Sequence, residues 1–362
     1  MIPTKNILYL GPYMEESSRG YYSCMNIKAL EKAGHNIKII PLYSSSYLPN
    51  KISSDILHLE EKNLEKYDVC IQHCNPLQYV HNSYFEQNIG IYDFVNLDPN
   101  PIVNSNLFLL DKILVNSPNK LTILADILAP HVFERLQYSP QLIDVNHIQN
   151  KKQEKLEWVD ENRFYFYSEL EFSEQYDWEK LIYVYLTNFM DKNTGLIIKT
   201  NNISEDKIKI IKQQIYGMAS SAMVKPIPEA MPQVLNGVYD EQTMFLINNS
   251  SDCFIDINKA NEPSYSSLCF AALNKPIISH ENSTTASYFK NTIKVDNMIS
   301  NSLIKHGDDI MNNSITNYYY TLNSESLLNN MRKVYQDRHN KNQINYDNDI
   351  HKYDLSQINY IL

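Results

Sequence analysis

The run SSDCFIDINKANEPSYSSLCFAALNKPIIS (residues 250–279) decides how this chain is read. DCFIDI is apolar at nearly every position, as in a parallel strand buried on both faces. Glu262 then lies in a serine-rich turn, and SSLCFAAL continues as a short helix. KPIIS follows as a second buried strand. Strand, helix and strand at this spacing make one βαβ unit, whose ligand side is the turn after the first strand. A carboxylate held in that turn is placed to act on a phosphate-bearing ligand.

The same alternation extends in both directions. Toward the N-terminus, NILYL (Asn6–Leu10) is a strand running into the loop GPYMEESSRG, and a helix follows over about 21–33. Gly34 supplies the left-handed stop expected after a helix. NIKIIPL, YDVCIQH, NIGIYDF and DKILVNS are further buried strands. Residues 149–157, QNKKQEKLE, are polar without apolar periodicity and read as a linker. The pattern then restarts with RFYFYS, DWEKLIYVYLTNF, GLIIKT, EDKIKIIKQQIYGM, PQVLNGVYD and EQTMFLINNS, and ends in the opening run. The expected class is α/β, with two Rossmann-like doubly wound domains facing a central cleft. The expected bounds are 1–148 for the N-terminal acceptor-side domain and 158–313 for the C-terminal donor domain. A helical tail over 314–362 is expected to return to the first domain.

Bulk properties narrow the function classes. The 362 residues suffice for two domains, and 43% hydrophobic with 20% charged residues is a globular composition. A net charge of −10 argues against a broad nucleic-acid footprint, although a local basic strip stays possible. No apolar run is long enough for a membrane span, and MIPTKNILYL lacks the features of a signal peptide. Five cysteines in a chain of this length suggest a reducing compartment and a cytoplasmic location. Cys70 and Cys74 flank His73 in CIQHC, but no second Cys/His pair at zinc spacing follows, so a reduced buried pair is expected. GDD at Asp308–Asp309 reads as a helix start, and DND at Asp347–Asp349 as solvated surface.

In open α/β sheets ligands bind beyond the carboxyl ends of the strands. In the first domain those loops hold Gly11, Arg19 and Gly20, then His73, then Asp98 in NLDPN. Gly11, Arg19 and Gly20 do not form GxGxxG, and no acid closes the next strand to hold a ribose, so a dinucleotide site is not expected. A lone His such as His73 is commonly structural, and ligand contact is the sharper alternative. In the second domain the loops hold Glu169, Glu171 and Glu174, then Lys199, then Gly237 and Val238, and then the turn before Ser264. No P-loop, GxSxG elbow or HExxH is present.

The run 250–279 resembles the donor-site signature of retaining nucleotide-sugar glycosyltransferases with the GT-B fold, in the manner of glycosyltransferase family four. Asp252–Ile257 matches the family's strand, Glu262 its first acid, and AALNKPII its helix end and following strand. ILYLGPY with IKALEKAGHNIKII, and DKILVNSPNKLTIL, resemble the family's first domain. The likeness is strongest to enzymes of tailed phages, through YDVCIQH and FYF…LIIKT. The second acid, eight residues after Glu262, is Phe270 here. The basic pair expected after FYFYS is replaced by Glu169, Glu171 and Glu174, which leaves Lys199 as the best cation for a diphosphate.

The resemblance implies a metal-independent transfer, with retention, from a nucleotide-sugar co-substrate such as a UDP-sugar. Glu262 and His73 would be catalytic, with Glu262 orienting the donor sugar and His73 touching the transferred sugar. Lys199, Gly237, Val238 and the start of the helix at Ser264, Tyr265, Ser266, Ser267 and Leu268 would bind the donor. Gly11, Arg19, Gly20 and Asp98 would line the acceptor or phosphate side. The implied acceptor is a saccharide or a modified DNA base, in a host cytoplasm if the chain is phage-encoded. A catalytically degenerate scaffold, acting as a partner subunit or homodimer, is the alternative. Three placements follow: Glu262 at the cleft, the helix near Ser324–Arg338 crossing to the first domain, and Phe270 buried beside a weakly basic diphosphate subsite.

Overall fold

The computed structural model describes residues 3–15, 17–42, 55–93, 101–128, 130–151, 154–173, 176–201, 203–225, 227–258, 264–300, 319–339 and 349–360. These form two compact units. The first takes its described residues from Met1–Asn146 and His351–Leu362, the second from His147–Ile304 and Thr316–Ile350.

In the first unit β1 (Asn6–Gly11), β2 (Asn36–Pro41), β3 (Val69–Gln72), β4 (Gln87–Tyr92), β5 (Lys112–Val115) and β6 (Leu136–Tyr138) form one sheet, in the order β2-β1-β3-β4-β5-β6. Every pairing is parallel. The chain moves outward from β1 to β2 and then crosses to β3, so the strand order reverses between β1 and β3. Loops at such a reversal diverge and leave a crevice at the carboxyl edge. The helices are α1 (Ser18–Lys32), α2 (Pro101–Leu107), α3 (Pro118–Ile127), α4 (Pro130–Phe133) and α5 (Val145–Asn150), the last spanning the boundary of the units. Ser17 and Ser117 accept bonds from Gly20 N and Lys120 N and so cap α1 and α3. Gly34, at φ 90°, makes the left-handed turn that ends α1.

The second sheet contains β7 (Phe164–Glu169), β8 (Thr194–Thr200), β9 (Gln233–Asn236), β10 (Cys253–Asp256), β11 (Ile277–His280) and β12 (Ile293–Val295). Its order is β12-β11-β10-β7-β8-β9, again all parallel. Here the order reverses between β7 and β10, the doubly wound arrangement in which the crevice lies over the middle of the sheet. Its helices are α6 (Trp178–Phe189), α7 (Glu205–Ser221), α8 (Glu241–Ser250), α9 (Tyr265–Ala272), α10 (Thr284–Tyr288) and α11 (Ser324–His339). A short antiparallel pair, β13 (Asn297–Ser300) and β14 (Tyr319–Leu322), precedes α11. Among the described residues no helix is long and apolar enough to cross a membrane.

Two placements differ from the sequence reading. The helix near Ser324–Arg338 belongs to the second unit, where the sequence reading had sent it to the first. Its stripe Leu327, Met331 and Val334 joins the core formed with Leu181, Tyr185 and Phe189 of α6. Tyr335 sets its ring edge-on to Phe164, and Arg332 donates to Asn188 Oδ1. The stripe has to bury against an apolar surface, and α6 presents a matching one in its own domain. The part that does return is further on: the 3-10 turn Leu355–Tyr360 packs on α1, and Ile143 N donates to Tyr353 O. Second, residues 149–157 are not free linker where they are described. Lys151 pairs with Glu241, Asn249 donates to Glu154 O, and Leu156 N donates to Ser250 Oγ, which ties the segment to α8.

Candidate functional site

Each reversal point carries a buried polar cluster. In the second unit, strand register builds it. Glu169 ends β7 directly opposite Lys199 near the end of β8. Their side chains meet at 2.7 Å, with Lys199 Nζ also donating to Asn201 Oδ1 at 2.7 Å. Glu169's other oxygen accepts from Ser266 Oγ at 2.9 Å, and Ser266 in turn lies 3.4 Å from the Tyr167 hydroxyl. Asp256, ending β10 across the reversal, accepts from Thr285 Oγ1 and from Asn258 N. Burial pushes its carboxyl up to about 6; its bonds to Thr285 and Asn258 pull it down, and the nearby Glu169 charge adds to the rise. Lys199 is thus paired with Glu169, and Asp256 adds a second carboxyl at the end of the adjoining strand β10. With Lys199 already paired to Glu169 the cluster is not basic, which falls short of the weak basicity expected of a diphosphate subsite.

The turn holding Glu262 lies outside the described residues. Beyond it, Ser264 caps α9 by accepting from Ser267 N, and Ser267 Oγ donates back to Ser264 O. Tyr265 and Leu268 are buried, so contact with a ligand from these two positions would come through their backbone. Phe270 is fully buried, as expected. Its ring stacks on Tyr167 at 6.1 Å and leans on Phe254 at 5.4 Å, with Lys275 Nζ 5.5 Å above it. Gly237 follows β9, its N–H donating to Thr200 O, and Val238 beside it is half-buried.

In the first unit, His73 follows β3, Asp93 follows β4, and Arg19 opens α1. His73 is fully buried and both ring nitrogens are engaged, Nε2 with Asp93 Oδ2 at 2.7 Å and Nδ1 with the Tyr9 hydroxyl at 3.0 Å. Ser23 donates to the Tyr9 oxygen, so Tyr9 can donate to Nδ1 and Nε2–H to Asp93. The chain assigns the Nε2–H tautomer. Burial pushes the His73 pKa below its ordinary value, with Asp93 opposing and Arg19 assisting. Arg19 Nε holds Asp93 Oδ2 at 3.0 Å, and Lys120 Nζ donates to Asp93 O at 3.1 Å. Burial alone would raise Asp93, but Arg19, His73 and Lys120 outweigh it and hold the carboxyl well below its usual range.

His73 is thus a sequestered member of a buried network rather than a side chain presented at the surface. Arg19 serves Asp93. Gly11 and Gly20 act in close packing: a Cβ on Gly11 would meet the Tyr9 ring at 2.6 Å and Ser23 Oγ at 2.8 Å, and one on Gly20 would fall 1.9 Å from Glu15 O. Asp98 lies outside the described residues. Cys70 and Cys74 are free thiols, pushed by burial up to about 12 and about 11. Among the described residues no group of three or more His, Cys, Asp or Glu is placed to hold a metal ion. Asp308, Asp309 and Asp347 lie outside them.

Sequence reading missed Asp93 and Asp256, acids of the two polar clusters. Each ends an apolar strand, in NIGIYDF and DCFIDI, and an acid closing a buried strand at the ligand edge was the signal that could have found them.

No family model matches this chain, and no curated protein matches it in sequence. Solved structures match in shape. Anabaena HepE in complex with UDP and glucose is 11% identical with a TM-score of 0.58, over 98% of this chain and 97% of that one. Sucrose-phosphate synthase of Thermosynechococcus elongatus is 10% identical with a TM-score of 0.60, over 98% and 96%. An alpha-glucosyltransferase in complex with UDP and a 13-mer DNA containing an HMU base is 10% identical with a TM-score of 0.59, over 99% and 96%. With two parallel six-stranded sheets in these strand orders, the chain has the α/β fold of GT-B glycosyltransferases.

Proposed function

We propose that this chain transfers a glycosyl group from a nucleotide-sugar donor, held by the second unit, to an acceptor hydroxyl. The observation that carries the reading is the pair of polar clusters at the two strand-order reversals, on a fold whose solved neighbours include UDP and UDP-glucose complexes. Glu262 is the proposed donor-sugar contact, from the turn just before the capped start of α9. Gly237 and Val238, after β9, line the same carboxyl edge. In the transfer the acceptor oxygen bonds to the sugar anomeric carbon as the bond to the diphosphate breaks, and the acceptor proton passes to the departing phosphate. The family resemblance assigns retention, a UDP-sugar donor and no metal requirement. A saccharide or a modified DNA base is the proposed acceptor, and the cytoplasm the proposed location.

Calorimetric titration with UDP, GDP, ADP and their sugars tests the donor, and micromolar binding of one of them is expected. Transfer from the bound donor to DNA carrying a hydroxymethylated base or to oligosaccharides then tests the acceptor, with the anomeric configuration of the product reporting retention. A second reading, a GT-B scaffold that binds a partner without catalysis, is favoured by one specific observation: Lys199 is already engaged by Glu169. Silence toward every nucleotide and nucleotide sugar would select it.

A further inference from the structure

The Lys199–Glu169–Ser266 cluster has the make-up of an occupied anion seat. Lys199 is a buried ammonium at the carboxyl edge of a parallel sheet, and Ser266 Oγ, from the first turn of α9, reaches the same carboxylate. Tyr167, locked between Phe254 and Phe270, supports Ser266 from behind. Each donor is satisfied by one oxygen of Glu169, at 2.7 and 2.9 Å. A carboxylate and a phosphate accept the same kinds of bond from an ammonium and a hydroxyl. Asp256 lies close enough to Glu169 for the two charges to oppose each other, so further negative charge at this place is disfavoured while Glu169 stays.

We propose that Glu169 is an internal anion that fills the phosphate seat of the second unit, and that an external phosphate group enters by displacing it from Lys199 and Ser266. Glu169 thereby sets the specificity and affinity of the site: it discriminates against simple anions and admits a ligand whose other contacts offset the loss of the internal pair. The proposal rests on the donor reading above only in placing the donor phosphates at this seat.

The test is binding of inorganic pyrophosphate, by calorimetry and by thermal shift, to the wild type, Glu169→Gln, Glu169→Asp and Glu169→Gln/Lys199→Met, with UDP run in parallel. In E169Q the buried ammonium loses its counter-charge, so pyrophosphate should bind roughly tenfold or more tightly than to the wild type and raise Tm. E169D keeps the charge but is one methylene too short to serve both donors, and should show a smaller gain. The double variant should lose the gain. If E169Q does not fold, E169D decides alone. A folded E169Q or E169D no better than wild type for pyrophosphate overturns the proposal, even where UDP binds the wild type and the donor reading stands. A gain for pyrophosphate with no nucleotide binding in any variant supports the seat and removes the donor reading.

Discussion

Replacing Phe270 by glutamate would restore the acid that the family resemblance places there, and the structure says what that does. The ring is fully buried between Tyr167 and Phe254. Burying a phenylalanine contributes about 1.5–3 kcal/mol, and truncating one to alanine costs about 3–5 kcal/mol once the residual cavity is counted. A glutamate loses the same packing and adds a carboxylate that needs a partner. Lys275 is the nearest cation, but its three N–H groups already meet the carbonyls of Asn248, Asn249 and Ser251 at 3.0, 2.8 and 2.7 Å. It can attract the carboxylate but has no donor left for it. F270E should therefore cost more than F270A, about 5 kcal/mol, against the roughly 5–15 kcal/mol that holds a typical domain together. Both tryptophans, Trp158 and Trp178, lie in the second unit, so their fluorescence during urea unfolding reports on that unit alone. The expected series is F270L mildest, F270A intermediate and F270E worst, with no nucleotide binding gained. F270E within about 1 kcal/mol of wild type would refute the packing account, and gained transferase activity would show that one position had silenced an intact site.

Asp256 gives a pH signature. Its carboxyl is raised to about 6 in the folded chain from 3.8, so between those values the folded state binds more protons and stability falls as pH rises, by about 3 kcal/mol in all. Unfolding midpoints should improve from pH 7 to pH 5 relative to D256N; parallel profiles would refute this. Asp93 is lowered, so its contribution is present at neutral pH and is lost as pH falls below the ordinary carboxylate range. D93N leaves Arg19 without its counter-charge and His73 Nε2 without its carboxylate partner, while Lys120 keeps the Asp93 carbonyl; it should cost about 3–5 kcal/mol at pH 7, read by hydrogen exchange in β3 and β4, and unchanged exchange there would count against the network. D354A removes the acceptor for Val145 N and Ser356 N and should weaken the first unit by about 1–3 kcal/mol, with exchange in α1 rising while tryptophan fluorescence does not move.

The fold was legible because each buried parallel strand announces itself locally, as FYFYS or GLIIK, and strands alternate with capped helices. The burial of Phe270 was legible for a related reason, since an aromatic ring in an apolar helix between two buried strands has one place to go. The clusters were not. Glu169 meets Lys199 through the register of β7 on β8, and His73 meets Tyr9 and Asp93 across 64 and 20 residues. Loop composition placed Glu169 among the acids that replace the basic pair; only the register shows that it neutralises Lys199. α11 was misplaced because an amphipathic stripe states that it must be buried but not against which partner.

Val145 N is bonded to Asp354, a separation of 209 residues, with the whole second unit threaded between. During synthesis the first sheet is therefore translated long before the segment that closes over α1. It must wait, with part of α1 uncovered, while the second unit emerges and folds. The second unit meets no such delay for its central strands, β7 to β12, which are contiguous in the chain. The order of translation and the order of completion are thus opposite, and slowing the ribosome between the two units would lengthen the wait of the first unit without hastening its closure.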